Sequence, residues 1–197
     1  MTGVQTCALP IYYFDKIKDT SRNEFKVLEE FKKLGVKLIP VNFPDSGIYN
    51  FNIMDVVIGV ECAAQFDEMT RLNIDDALTR QTKNDWPNQF RTARFVPAVE
   101  YVNAQRHRYT LMQKVNEVIQ QYDVIICPSR GHGNQSAITN LTGHPVVCVP
   151  TGFDKKLNLP TGISFVGNLY DEAAILSIAQ SYQKATQWNK VHPALFK

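Results

Sequence analysis

The segment Asp123–Gly167, DVIICPSRGHGNQSAITNLTGHPVVCVPTGFDKKLNLPTGISFVG, decides the fold. Three short apolar runs stand in it: Val124–Cys127, Val146–Val149 and Ile163–Val166. Each is too short for a helix, rich in β-branched residues and closed by Pro128, Pro150 or Gly167, so each reads as a buried strand. The Gly-, Ser- and Asn-rich connection from Ser129 to Thr142 carries a loop and then a short helix.

Upstream, the apolar positions Ile17, Phe25, Leu28, Phe31 and Leu34 recur at mainly helical spacing and predict one amphipathic helix over Asp15–Leu34, stopped by Gly35. Val36–Val41 follows as a strand and Pro44–Gly47 as a turn. Asn52–Leu72 reads as a second helix, and Pro97–Tyr122 as the longest, with Pro97 suited to a first-turn position. Asp171–Gln187 is the last helix, its acids at the end where the helix dipole favours them. The expectation is an α/β domain with a mixed sheet whose central strands are the three runs above, flanked by the Pro97 and Asp171 helices.

Several linked motifs resemble the C-terminal sheet of the amidase signature family of serine amidohydrolases. The D-hydrophobic-PS element is at Asp123–Ser129, NLTG-x-P at Asn140–Pro145, the strand ending in VP-x-G-F at Val146–Phe153, and the LP-x-G strand ending in VG at Leu159–Gly167. Leu34–Asp45 is similar to the family's LGxxLxPVxxPD pattern. Ala98, Tyr101, Ala104 and Arg108 match its A-x-x-Y-x-x-A-x-x-x-R helix. Asp171, Glu172, Ile175, Leu176, Ala179, Tyr182, Ala185 and Thr186 match its closing helix, and HPALF resembles a natural C-terminus.

The resemblance implies hydrolysis of a carboxylic amide through a serine acyl-enzyme, without a cofactor. In that family the nucleophilic serine sits in a Gly/Ser-rich loop, a second serine and a lysine activate it, and backbone N–H groups meet the oxyanion. Those parts lie upstream of the matched region, and no Gly-Gly-Ser-Ser-Gly-like loop occurs in this sequence. The expectation is therefore a C-terminal portion, residues 13–197, with no catalytic residue of its own. Residues 1–12 are set apart: GVQTCALPI is similar to a translated sequencing adapter, which predicts a non-native leader, the alternative being a native first strand.

Substitute chemistry has few openings. Ser129 and His132 lie three apart in one loop, a spacing that seldom makes a triad. Cys127 with His144 is a second pair, but Cys127 sits in an apolar run that disfavours thiolate. Gly131-His132-Gly133 lacks the lysine and spacing of a phosphate loop. Glu61, inside an apolar segment, could be a catalytic carboxylate but reads rather as one satisfied by a hydrogen bond or facing solvent, and Asp75-Asp76 read as dipole partners rather than metal ligands. Ser129, Arg130, His132, Asn140 and Thr142 remain as substrate-pocket candidates, with backbone capping the alternative for Asn140 and Thr142.

Composition narrows the classes. The 197 residues are 44% hydrophobic and 20% charged, with a formal net charge of +2. This is globular composition, too mildly basic to predict a nucleic-acid partner, and Arg106-His107-Arg108 spreads around a helix as a solvated face. No apolar run reaches the roughly 18 residues of a membrane span. Cys7, Cys62, Cys127 and Cys148 lack metal or disulfide spacing and are expected as buried thiols. The expected partner is a small amide substrate of the full-length protein, and a cytoplasmic setting is favoured. The alternatives are a noncatalytic binding module and a transfer-RNA amidotransferase subunit; the short connection from Pro128 to Asn140 favours a plain amidase.

Overall fold

The computed structural model describes residues 6–15, 17, 19, 21–44, 47, 50–129 and 135–192. The chain divides into two compact units, residues 1–43 with 114–197, and residues 44–113.

The first unit is built on a five-stranded sheet in the order β2-β1-β3-β5-β4. Its strands are β1 (Thr6–Pro10), β2 (Lys37–Val41), β3 (Val124–Pro128), β4 (Val146–Phe153) and β5 (Pro160–Gly167). The three runs predicted as strands are all present, and the sheet is mixed: β1 is parallel to β2 and β3, while β5 is antiparallel to β3 and β4. Helices α1 (Ile11–Asp15), α2 (Asn23–Lys33), α7 (Gln135–Thr142) and α8 (Glu172–Thr186) belong to this unit.

Strand alternation sorts the sheet into two faces. Val124 and Ile126 of β3, Ile163 and Phe165 of β5 and Val149 of β4 join Val27 and Phe31 of α2 and Ile175, Ile178 and Tyr182 of α8 in one core. Phe31 meets Phe165 edge-on at 5.6 Å between ring centroids, an arrangement that adds about 0.5–1.5 kcal/mol beyond area burial.

Residues set apart from the fold by sequence enter it. Thr6–Pro10 lies between β2 and β3, and Cys7, Ala8 and Leu9 are buried. Thr6 donates from its backbone N and its hydroxyl to Asp123 Oδ2, at 2.8 and 2.9 Å, tying the starts of β1 and β3. Burial, helped by the Asp123 charge, pushes the Cys7 thiol up to about 12.

The helix expected over Asp15–Leu34 is shorter. It begins at Asn23, where Arg22, extended at ψ 155°, breaks the helical path. Gly35 supplies the expected stop in the left-handed region, φ 78°. Asp171 caps α8 by accepting from the Ala174 N–H at 3.4 Å. Of the predicted turn at Pro44–Gly47, Asp45 and Ser46 lie outside the described residues.

The second unit holds α3 (Ile53–Gln65), α4 (Asp67–Arg71), a 3-10 turn (Ile74–Ala77), α5 (Trp86–Ala93) and most of α6 (Ala98–Ile119), which runs on past the unit's last residue, Gln113. The single helix expected over Asn52–Leu72 is two, because Phe66, at φ −104° and ψ 24°, leaves helical geometry. Phe66, Phe90 and Trp86 stack in series, with centroids 5.2 and 5.6 Å apart.

Candidate functional site

The Ser129 side chain sits at the exit of β3, where the sheet meets the connection to α7. Its Oγ lies 2.9 Å from Ser164 Oγ and 3.1 Å from Cys148 Sγ. The sheet register explains the meeting. Ser164 pairs with Cys127 on one side and Cys148 on the other, so these three side chains share the face opposite the α2 and α8 core. Gly162 keeps the cluster close: a Cβ there would stand 3.0 Å from Cys148 Sγ and 3.2 Å from the Val149 carbonyl oxygen.

Chemically this is a hydroxyl–hydroxyl–thiol set. Ser164 is buried, Ser129 half-buried and Cys148 exposed. Among the described residues the partners of Ser129 are a hydroxyl and a thiol, and no imidazole or carboxylate is hydrogen-bonded to it as the general base that nucleophilic attack uses. The three groups can donate to and accept from a polar ligand. Exposure of Cys148 and half-burial of Cys62 correct the expectation of four buried thiols. Cys127 is buried as expected, and loss of solvation holds its thiol well above the usual range, which removes it as a nucleophile.

Thr142 and Asn140 part company. Thr142 is buried and donates to the Ile138 carbonyl at 2.7 Å. That commits its one proton, so at 2.8 Å it accepts from His144 Nδ1, which carries the imidazole hydrogen. His144 Nε2 is then an acceptor, buried without a hydrogen-bond partner among the described residues, and burial lowers the imidazole pKa. Asn140 lies exposed on α7, its amide 3.4 Å from Ser136 Oγ. Arg130 and His132 lie outside the described residues, as does the Gly131–Gly133 turn.

The remaining candidates have structural partners. Glu61 accepts from Tyr101 Oη at 3.0 Å and Gln105 Nε2 at 2.9 Å. Asp75 is buried and ion-paired with Arg91, which also meets Asp76 at 3.1 Å. Arg91 is thus a counter-charge to both acids, which also stand in the first turn of the 3-10 element Ile74–Ala77, as the dipole reading expects. Among the described residues no cluster of His, Cys, Asp or Glu could hold a metal ion. No helix there is long and apolar enough to cross a membrane.

The role of Cys148 and Ser164 beside Ser129 escaped the sequence reading. Alternation within strands was visible, but the antiparallel register that aligns Cys127, Ser164 and Cys148 was not.

No family model matches the chain. Among curated proteins it is 25% identical over 209 aligned positions to a subunit of the Glutamyl-tRNA(Gln) amidotransferase of Thioalkalivibrio sulfidiphilus, covering 87% of this chain and 43% of that protein. The corresponding protein of Burkholderia ambifaria is 24% identical over 94% of this chain and 46% of its own. The chain thus spans less than half the length of these relatives. Among solved structures, native peptide amidase from Stenotrophomonas maltophilia superposes with a TM-score of 0.71 at 16% identity, over 93% of this chain and 43% of that one. A bacterial aryl acylamidase of the amidase signature enzymes does so at 0.74 and 15% identity, over 95% and 44%. The fold is that of the amidase-signature enzymes, and the sequence likeness to the amidotransferase proteins runs over most of the chain.

Proposed function

We propose that this relative of the amidase-signature enzymes is the C-terminal, pocket-forming part of an amidase, whose full-length form hydrolyses a carboxylic amide to an acid and ammonia or an amine. The observation that carries the reading is the co-linear likeness in sequence and fold to under half of each amidase-type relative. The serine–serine–lysine machinery implied by the motifs would belong to the portion that those relatives possess and this chain does not match. Ser129, Ser164 and Cys148 then serve as pocket wall, offering hydrogen bonds to a bound amide at a strand end, where α/β proteins commonly bind ligands. Arg130, His132 and Asn140, on the same connection, join them as candidates, whereas the hydrogen bonds of Thr142 favour a structural part.

The test has two arms. The purified chain, assayed against simple aliphatic and aromatic amides, is expected to match buffer; turnover abolished by Ser129→Ala would make Ser129 a nucleophile and sink the reading. In the second arm the 15N-labelled chain is titrated with propionamide and benzamide. Shifts at the backbone amides of Ser129, Cys148 and Ser164 are expected, and their absence would remove the pocket-wall role.

A transfer-RNA amidotransferase subunit is the second reading, favoured by the sequence likeness to the two amidotransferase proteins. It predicts amide transfer to a misacylated transfer RNA in the full-length protein, which amide hydrolysis alone would not require.

A further inference from the structure

The second unit holds two adjoining cavities that share Leu78 and Trp86. The first, of about 250 Å³, is wholly apolar and is lined besides by Cys62, Phe66, Met69 and Phe90. Phe90 is buried, and the exposed rings of Phe66 and Trp86 each stack on it with planes 29° from its own. The second, of about 300 Å³, is lined by Thr79, Arg80, Asn84 and Asp85. Its charge is positive on balance, since the stretch Thr79–Asp85 carries Arg80 and Lys83 against one acid, Asp85. Asp85 Oδ2 accepts from the Thr82 N–H at 2.8 Å and from the Thr82 hydroxyl at 2.6 Å, so local bonds already engage that carboxylate. Arg80 is exposed and forms no hydrogen bond or ion pair among the described residues. Helix α5 starts at Trp86, and its dipole adds positive charge at the same end.

We propose that the paired cavities form a binding site for a planar, two-ring aromatic carboxylate, its rings in the apolar cavity and its carboxylate across the Leu78–Trp86 wall beside Arg80. Size sets the ring count. An apolar cavity of about 150 Å³ takes one benzene ring. The first cavity, of about 250 Å³, then takes two fused rings. Chemistry sets the rest. The aromatic lining rewards a flat ring that can stack or meet an edge, which an alkyl chain of equal volume cannot do. A guanidinium without a partner matches a carboxylate through two parallel N–H donors, whereas a cationic ligand would meet Arg80 and Lys83 as like charges. An uncharged aromatic would fill the first cavity and leave the second unused. The site lies wholly in residues 44–113 and shares no residue with the Ser129 cluster, so it stands whether or not the amide reading does.

Isothermal titration calorimetry of the 197-residue chain with naphthoate, from about 10 μM to 2 mM, tests this. Saturable one-site binding with a dissociation constant on the order of 100 μM is expected. Trp86→Ala should weaken it about tenfold, with an unchanged far-ultraviolet circular dichroism spectrum. Arg80→Gln should weaken naphthoate about fivefold and leave the uncharged naphthylmethanol as it was. Decanoate, an acid with a flexible apolar chain, should bind about tenfold more weakly than naphthoate. Leu157→Ser, at an exposed position of the sheet-containing unit, should change nothing. No saturable binding, an affinity that survives Trp86→Ala or Arg80→Gln, decanoate as tight as naphthoate, or a loss in Leu157→Ser overturns the proposal. Should Trp86→Ala misfold, Leu78→Asn, in the shared wall and outside the helices, decides by the same criterion.

Discussion

Gly152 has φ 115°, and a Cβ there would stand 3.2 Å from Asn23 Nδ2 and from the Trp188 ring. Both the backbone and the space exclude a side chain, so Gly152→Ala should destabilise the chain by about 2 kcal/mol or more, read from the urea midpoint. An unchanged midpoint would mean that Trp188 does not rest on β4. His144 gives a pH signature. Its folded pKa lies below the ordinary value, so the unfolded chain binds the proton more readily and stability rises with pH. This contribution is complete above about pH 6.5 and is lost as pH falls toward the folded pKa, at up to about 1.4 kcal/mol per pH unit. His144→Asn should flatten that limb of the stability curve between about pH 6.5 and 5. An identical slope in the variant would show that the imidazole is solvated. Ser129 was legible as a residue at a strand end; the bonds that define its chemistry, to residues 19 and 35 positions away, were not.

Strand β1 is the sheet partner of β2, and β1 also joins it to β3. Removal of residues 1–10 takes away the buried side chains of Cys7, Ala8 and Leu9 and the Thr6–Asp123 hydrogen bonds, and breaks the link between β2 and β3. Each large apolar side chain lost from a core is worth roughly 1.5–3 kcal/mol, against a typical net stability of about 5–15. The truncated chain should therefore lose cooperative thermal unfolding, followed by circular dichroism at 222 nm. A sharp transition in residues 11–197 would mean that β2 and β3 hold without β1. The strand at Thr6–Pro10 was not legible for a physical reason: an uncharged run without clear period carries no signature of what it pairs with, and central-strand burial comes from its neighbours. Strands β3, β4 and β5 were legible because turn residues punctuate them. The breaks at Arg22 and Phe66 were not, since neither residue type forbids a helix.

Across the whole molecule, apolar surface is left open in the second unit. Phe66, Leu78 and Trp86 are exposed beside a cleft of about 250 Å³ that they line with Cys62, Met69 and Phe90. An anilinonaphthalene sulfonate dye should brighten with the native chain, and Trp86→Ser should cut that signal by half or more. An unaltered signal would place the dye elsewhere. The chain has two tryptophans, and the division into units gives each one of them: Trp86 falls within residues 44–113 and Trp188 within the sheet-containing unit. Each unit thereby carries its own intrinsic fluorophore. Trp86→Phe leaves emission from the sheet unit alone and Trp188→Phe from the helical unit alone, so a pair of denaturation curves becomes a direct reading of whether the two melt as one body or in succession.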